Sequence, residues 1–252
     1  MLSAKSEQFI DNLKMYLMMS GKNEREITEL IEELTDHLME VEKSGRSIHD
    51  IIDQTPEQYM ASLKQEMTTD YKRIVKLLPV YFLGIIAYFL IGPAVRGEFQ
   101  LNIIQVIGLP ILAVLGLGVY VYFLQNAGRK QYSKKKFFLG GVLASMIVTT
   151  LAILIMLVST IFVDPFFVGG TTADLVVVFI CSSIFIATAI WSKSWVSIWI
   201  PVFLIIPDVC TRFTNWSIES ILIISMTSFV FMFVVLILTI LITDKKKKKR
   251  LA

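Results

Sequence analysis

Two hydrophobic patterns divide the chain near residue 72. Up to that point, apolar residues recur at spacings of three and four among charged residues, which is typical of amphipathic helices in a small globular domain. Beyond it, long and nearly uncharged apolar runs follow one another, as in helices that cross a membrane. The patterns predict an all-α fold with a small cytoplasmic helical domain (residues 1–72), a polytopic membrane domain (residues 73–244) and a basic tail (residues 245–252).

Local signals delimit the helices of the N-terminal domain. Ser3 is placed to begin a helix that Gly21 ends, and Asn23 followed by Glu26 has the spacing of a capping box. Thr55 and Pro56 are expected to begin the last helix, and to continue it through residue 71 into the first span as a rigid link. A short helix capped by Ser47 is also expected after Gly45. The apolar faces are assigned to Phe9, Leu13, Tyr16 and Leu17; to Ile27, Leu30, Ile31, Leu34, Leu38 and Val41; to Ile48, Ile51 and Ile52; and to Tyr59, Leu63 and Met67.

Six apolar runs are long enough to be considered as membrane spans. Gly92 and Pro93, followed by the polar residues Arg96, Gly97 and Glu98, are expected to end the first run, and Pro201 to break the fifth. Only residues 192–194 separate the fourth run from the fifth, so whether these two form a true hairpin is left open by the sequence. The predicted spans are about 77–91, 101–124, 137–163, 175–191, 195–207 and 218–243.

Basic residues predict the orientation of these spans, because short cytoplasmic loops of membrane proteins are enriched in Lys and Arg. If the six spans cross the membrane in alternating directions, all basic residues after residue 70 lie on the same side of the membrane, except Arg96 and Arg212. That side is therefore predicted to be the cytoplasm. Both termini would lie there, with the protein in the cell membrane.

Charge separates the same two regions. Hydrophobic residues make up 55% of the chain, which excludes a wholly soluble protein. Residues 1–70 carry 7 Lys and Arg against 15 Asp and Glu, a net charge of −8, whereas the rest carries 17 against 6, a net charge of +11. The overall isoelectric point of about 8.7 describes neither region and does not indicate nucleic-acid binding.

Acidic residues form a stripe on the polar face of the second helix, defined here as Glu29, Glu32, Glu33, Asp36 and Glu40. The stripe is either a solvated face or a contact surface for a basic partner or for the protein's own basic loop, residues 129–136. In the predicted topology, a second set of acidic residues lies on the outer side of the membrane. These residues either gather around Arg96 and Arg212 or remain separate and solvated in their loops. Its members are Glu98, Asp164, Asp174, Asp208 and Glu219.

Motifs for catalysis or cofactor binding are absent from the sequence. Glu33, His37 and Glu40 share a helical face and offer three metal ligands, but a surface histidine is the preferred interpretation. Cys181 and Cys210 are expected to be free thiols, because their predicted depths differ. No phosphate-binding loop, nucleophile elbow or dinucleotide fingerprint follows a plausible strand. We therefore predict no catalytic, metal or cofactor site, and no enzymatic activity.

Five short runs in the N-terminal domain resemble the HAAS signalling domain, a family of small cytoplasmic helical domains fused to multi-pass membrane regions in Gram-positive bacteria. The runs are residues 9–13, 20–24, 32–38, 45–48 and 56–60, and the resemblance covers about residues 5–67. It implies a membrane-associated regulatory role and a partner of the PadR type. It implies no catalytic residue.

The favoured function is regulation, in which the N-terminal domain transmits the state of the membrane or envelope to a cytoplasmic protein. Besides the lipid bilayer, the expected partners are that protein or a membrane protein, and a second copy of the chain, but not nucleic acid. A transporter or permease, or an accessory subunit of one, is the alternative. The scarcity of ionisable residues at the span centres argues against transport, and a membrane-embedded enzyme comes third.

Overall fold

The computed structural model describes residues 2–44 and 55–251. In those residues the chain forms nine helices and two short strands, which confirms the all-α fold class. The short helix predicted after Gly45, with Ser47, Ile48, Ile51 and Ile52, lies outside the described residues. The elements are α1 (Ala4–Met19), α2 (Glu24–Lys43), α3 (Pro56–Glu66), α4 (Tyr71–Arg96), β1 (Gln100–Leu101), α5 (Ile103–Arg129), α6 (Lys134–Phe162), β2 (Phe167–Val168), α7 (Thr171–Ser192), α8 (Val196–Phe213) and α9 (Ile218–Leu251).

The apolar faces of α1, α2 and α3 enclose one core, largely as the helical spacing predicts. All four residues assigned to α1 are buried, as are Ile27, Leu34, Leu38 and Val41 of α2. On α3 the assigned face is displaced by one position. Met60 is the fully buried residue, whereas Tyr59, Leu63 and Met67 pack at the edge of the core. A tyrosine at the edge keeps its hydroxyl group within reach of water, which the inner position would deny it.

Polar caps begin the three helices of this domain. The hydroxyl group of Ser3 accepts a hydrogen bond from the amide of Ser6 at 3.3 Å, and the side chain of Asn23 caps α2. The capping box predicted for Asn23 and Glu26 is incomplete, because Glu26 bonds to Thr68 instead. A complete capping box begins α3, where Thr55 and Gln58 bond to each other's backbone amides.

The predicted continuous helix from α3 into the first span is wrong. α3 ends at Glu66, and residues 67–70 form a non-helical link before α4 begins. The link is bound to the α1–α2 turn: the amide of Asn23 donates to the carbonyl of Thr68 at 3.1 Å, and the amide of Asp70 donates to the carbonyl of Gly21 at 2.9 Å. These backbone bonds to a distant segment replace the hydrogen bonds that a continuous helix would have made.

Six helices, α4 to α9, are long and apolar enough to cross a membrane, which confirms a multi-pass chain. The first of these helices, α4, ends at Arg96, one of the polar residues expected to end the first run. The prolines do not interrupt their helices, because Pro93 lies inside α4 and Pro201 inside α8. Membrane helices tolerate proline, since neighbouring groups satisfy the backbone carbonyl that it leaves unpaired. α7 and α8 are separate helices joined at Lys193, which adopts a left-handed conformation with φ of 51°.

The chain divides into two compact units. The first comprises Met1–Leu78 and Ile111–Met156, so the N-terminal domain shares a unit with the later part of α5 and most of α6. The second comprises Pro79–Pro110 and Leu157–Ala252. Within the second unit, β1 and β2 pair antiparallel, with Gln100 opposite Val168 and Leu101 opposite Phe167.

Candidate functional site

Helix α1 docks against the end of α5 and the turn that follows it. We call residues 125–132 the docking segment. Three side-chain amides make the contact: Gln8 Nε2 donates to the carbonyl of Tyr132 at 3.1 Å, Asn12 Nδ2 donates to Gln131 Oε1 at 2.9 Å, and Gln125 Nε2 donates to the carbonyl of Met19 at 2.7 Å. These bonds are distributed along α1 from Gln8, in its second turn, to its last residue, Met19. The N-terminal domain is therefore held by a hydrogen-bonded surface within its own compact unit.

A glycine permits this close approach. A Cβ atom added to Gly128 would lie 2.7 Å from the carbonyl oxygen of Asn12 and 2.9 Å from Cβ of Tyr16. Real Cβ atoms essentially never come so near, and one of the two atoms is backbone, so α1 would have to move away. A Cβ atom added to Gly118, earlier in α5, would have no other atom within 4 Å. Glycine is thus required by packing at Gly128 but not at Gly118.

Gln131 links the docking segment to the core of the N-terminal domain. Its Nε2 donates to the carbonyl of Gly128 at 3.2 Å and to the sulfur of Met60 at 3.6 Å, while its Oε1 accepts from Asn12. Met60 is 0% exposed and lies in the core of α1, α2 and α3. The backbone of Gln131 has a φ of 48°, a region that favours glycine. This conformation is strained for a glutamine, and we infer that the hydrogen bonds of its side chain offset part of the strain.

A polar cavity of about 210 Å³ lies beside the docking contact. Burial raises the pKa of Tyr16 in its wall, and the positive charge of nearby Arg129 partly opposes that rise. The residues that line the cavity are Tyr16, Lys64, Tyr122, Gln125, Asn126 and Arg129.

The acidic stripe lies on a different surface from the docking contact. All five of its residues, Glu29, Glu32, Glu33, Asp36 and Glu40, are exposed on α2. Among the described residues, one member of the stripe forms an ion pair, the exposed one between Arg25 and Glu29, at 2.9 Å. No hydrogen bond or ion pair joins the stripe to residues 129–136 in the part of the chain that the structure describes. The structure thus brings α1, not the stripe, to the basic loop.

Acids at the two ends of α2 serve the domain itself. Glu24 pairs with Arg73 at 2.8 Å. Hydrogen bonds from Thr68 lower the pKa of Glu26, and hydrogen bonds from Ser3 and Ser6 lower the pKa of Glu42. The carboxylates of the stripe are therefore the ones left facing solvent.

The side chains considered for metal or sulfur chemistry do not form a site in the structure. Within residues 2–44 and 55–251, no group of three or more His, Cys, Asp and Glu side chains is placed to hold a metal ion. The exposed side chains of Glu33, His37 and Glu40 are included in that search. Cys181 and Cys210 are both free cysteines, Cys181 being buried.

Part of the second acidic set gathers in the second compact unit. Arg96 pairs with Glu98 at 2.9 Å and also with Asp208. Asp174, only 2% exposed, accepts a hydrogen bond from the amide of Phe99 at 3.2 Å. Arg212 donates to the carbonyl groups of Ala94 and Val95 at the end of α4. The bonds of Asp174 and Arg212 thus satisfy backbone groups of the unit, whereas Arg96 joins two of its carboxylates.

The docking residues were not recognised from the sequence. One signal was present: Asn12 lies among the apolar positions of α1, and a buried amide normally has a specific hydrogen-bond partner. Asn12 is 8% exposed in the structure. Its partner, Gln131, is more than a hundred residues away, and nothing in the local pattern identifies it.

Comparisons with known proteins place the membrane region in a family. Residues 82–206 match the family model described as the HAAS transmembrane region. Neither the curated proteins nor the solved structures gave a match. The match begins in α4 and ends in α8, whereas the resemblance in the sequence rests on residues 5–67. The match covers 125 of the 252 residues, just under half of the chain, and it agrees with the resemblance to HAAS domains fused to a membrane region.

Proposed function

We propose that this integral membrane protein is a regulator, in which the docked N-terminal domain transmits the state of the membrane to a cytoplasmic protein. The observation that carries the proposal is the contact of α1 with the docking segment. That segment is the end of a membrane-spanning helix and its following turn. A change at this end of α5 reaches α1 directly through the hydrogen bonds of Gln8, Asn12 and Gln125.

The acidic stripe is the surface that we assign to the partner. It lies on α2 and faces solvent, while α1 occupies the docking segment. The carboxylates at the ends of α2 are engaged within the first compact unit, which leaves the stripe available for a basic surface on another protein. A partner of the PadR type is implied only by the family resemblance, as is an origin in Gram-positive bacteria.

The same proposal covers orientation and the absence of catalysis. Lys and Arg in the loops support a cytoplasmic location for the N-terminal domain, the docking segment and the C-terminal tail, with the protein in the cell membrane. The docking contact is made by amide side chains and by the backbone at a glycine. These groups support a role in conformational coupling and not in chemistry on a substrate.

Replacement of Gly128 tests whether docking controls the partner. Gly128→Leu should displace α1, because the added side chain overlaps the backbone of Asn12. Gly118→Leu in the same helix is the matched control. Docking is measured in native membranes by bismaleimide cross-linking of cysteines at Gln8 and Tyr132, in a background of Cys181→Ala and Cys210→Ala. Cross-linking should be lost with Gly128→Leu and retained with Gly118→Leu.

Binding of the partner is measured as the amount of protein that co-purifies with the same full-length variants after gentle solubilisation. We expect one soluble protein whose recovery changes with Gly128→Leu but not with Gly118→Leu. Its recovery should also fall when Glu29, Glu32, Glu33 and Asp36 are replaced by Lys. If no protein shows both dependences although cross-linking reports loss of docking, the regulatory proposal is wrong.

A further inference from the structure

The cavity beside the docking contact has the composition of an anion site. It has a volume of about 210 Å³, is open to solvent on one side, and is lined by residues of the N-terminal domain and of α5, all within the first compact unit. A water molecule occupies about 30 Å³ in the liquid, so the space accommodates a group several times larger. Two of the six lining residues, Lys64 and Arg129, are cationic, and none is acidic.

The two cations are not neutralised by carboxylates. In the described part of the chain, neither Lys64 nor Arg129 takes part in an ion pair. Lys64 Nζ lies 5.7 Å from the centre of the Tyr16 ring, a weak cation–π contact. Two positive charges that line one cavity repel each other. An anion bound between them would attract both and offset that repulsion.

Neutral donors complete the lining. Asn126, Tyr16 and Tyr122 also line the cavity, and their side chains carry amide and hydroxyl donors. Gln125 is already held by the carbonyl of Met19, which fixes its position at the wall. Cationic and neutral N–H and O–H donors around one space are the chemistry that recognises phosphate oxygens.

The cavity lies at the end of the α5 span that carries the docking segment, where lipid headgroups are expected. Tyr122, one of its lining residues, is 71% exposed. Tyrosine rings favour the boundary between headgroups and water. Basic pockets at this boundary bind the headgroups of anionic lipids.

We propose that the cavity binds a phosphate group, either in the headgroup of an anionic phospholipid or in a small soluble phosphate. Lys64 and Arg129 hold the phosphate oxygens, and Asn126 donates to it. The bound group bridges α3 of the N-terminal domain and the end of α5, and so it adds to the docking contact. The site does not depend on the regulatory proposal, since binding is a property of the isolated full-length chain.

The test uses the purified full-length protein and two probes, phosphatidylglycerol and inorganic phosphate. Native mass spectrometry measures phosphatidylglycerol bound after release from detergent, with phosphatidylcholine as the zwitterionic reference. The double variant Lys64→Gln, Arg129→Gln should weaken retention of phosphatidylglycerol by about tenfold or more, since two charge-assisted hydrogen bonds are lost. The matched control, Lys134→Gln with Lys135→Gln, removes the same charge from the exposed start of α6 and should leave retention nearly unchanged.

Competition identifies the source of the phosphate. If inorganic phosphate at constant ionic strength displaces the lipid, the cavity takes soluble phosphate. If it does not, the site is specific for the headgroup. The conservative variants Lys64→Arg and Arg129→Lys should retain binding, which separates loss of charge from loss of folding. Equal binding by the Gln variant and its matched control, or no binding of either probe to the unmodified protein, would overturn the proposal.

Discussion

At the residue scale, the N-terminal domain is attached through uncharged amides. Asn12 and Gln131 form a pair with 2.9 Å between Nδ2 and Oε1, and Asn12 is nearly buried. Amide pairs are screened by salt much less than ion pairs are. The attachment should therefore persist at ionic strengths that would weaken a contact made by the acidic stripe and the basic loop.

A double-mutant cycle on Asn12 and Gln131 tests this pair. Each single replacement by Ala leaves the other amide without its partner and should cost about 1–3 kcal/mol of docking free energy. The double variant should cost less than the sum, since no orphaned amide remains. Hydrogen exchange of residues 125–132 in the solubilised full-length chain provides the measurement. Asp11→Ala, an exposed neighbour, is the control, and additive effects would contradict a direct bond.

The hydrogen bonds from Thr68 to Glu26 make the link between α3 and α4 sensitive to pH. They lower the pKa of Glu26 below its usual value of 4.5, so the ionised carboxylate stabilises the folded state. This contribution is fully present above the unfolded-state pKa and is lost as the pH falls through the lower folded-state pKa.

Glu26→Gln should accordingly reduce hydrogen-exchange protection of residues 67–70 at pH 7. The difference from the unmodified protein should begin to shrink once the pH falls below 4.5, the usual pKa of the carboxyl group, and should vanish as the pH falls through the lower pKa of Glu26 in the folded protein. Exchange rates are corrected for their intrinsic dependence on pH. Glu32→Gln, on the exposed stripe, should have no effect at either pH, and a difference that persisted in acid would contradict the assigned cause.

At the element scale, local signals predicted helix starts well and helix connections poorly. Ser3, Asn23 and Thr55 all cap helices, because a cap depends on residues within one turn. The non-helical link at residues 67–70 was missed, because it contains neither Gly nor Pro. Its conformation depends on bonds to Gly21 and Asn23, far away in sequence.

The docking surface was missed for the same physical reason. Its central bond joins Asn12 to Gln131, and hydrophobic periodicity carries no information about pairing over such a distance. The prolines of α4 and α8 illustrate the opposite error. Rules from soluble helices were applied to membrane helices, where Pro93 and Pro201 remain within continuous elements.

The packing of α2 against α1 and α3 can be tested with one core residue. Leu38 is 1% exposed, and Leu38→Ala should destabilise the N-terminal domain by about 2–5 kcal/mol. Limited proteolysis of the solubilised full-length chain measures the effect. Cleavage within α2 should accelerate by more than about tenfold, since each 1.4 kcal/mol raises the open population by that factor. Glu32→Ala on the opposite face should cleave as the unmodified protein does, and equal rates for the two variants would contradict the assigned faces.

At the scale of the whole molecule, two sets of contacts agree with alternating spans. The N-terminal domain contacts the segment between α5 and α6, as expected if both lie on one side of the membrane. The segments before α5 and before α7 pair through β1 and β2, as expected if both lie on the other side. Sidedness itself is a prediction from the distribution of Lys and Arg.

Impermeant thiol labelling of whole cells tests that sidedness. Single cysteines replace Ser133, after α5, or Thr171, at the start of α7, in a Cys181→Ala, Cys210→Ala background. Thr171→Cys should react with the reagent in intact cells, and Ser133→Cys only after permeabilisation, because positive loops are retained inside. The background without added cysteines controls for other reactions. The reverse pattern would contradict the orientation.

Two prolines coincide with the boundary between the compact units. The first unit gives way to the second at Pro79 in α4, and the second gives way to the first after Pro110 in α5. Neither proline has an amide hydrogen for the carbonyl four residues earlier, at Val75 or Val106. Each of these helices therefore has a built-in hinge with one hydrogen bond fewer to break on bending. Bending of α4 at Pro79 or of α5 at Pro110 therefore costs less than bending at a residue whose amide is hydrogen-bonded within the helix.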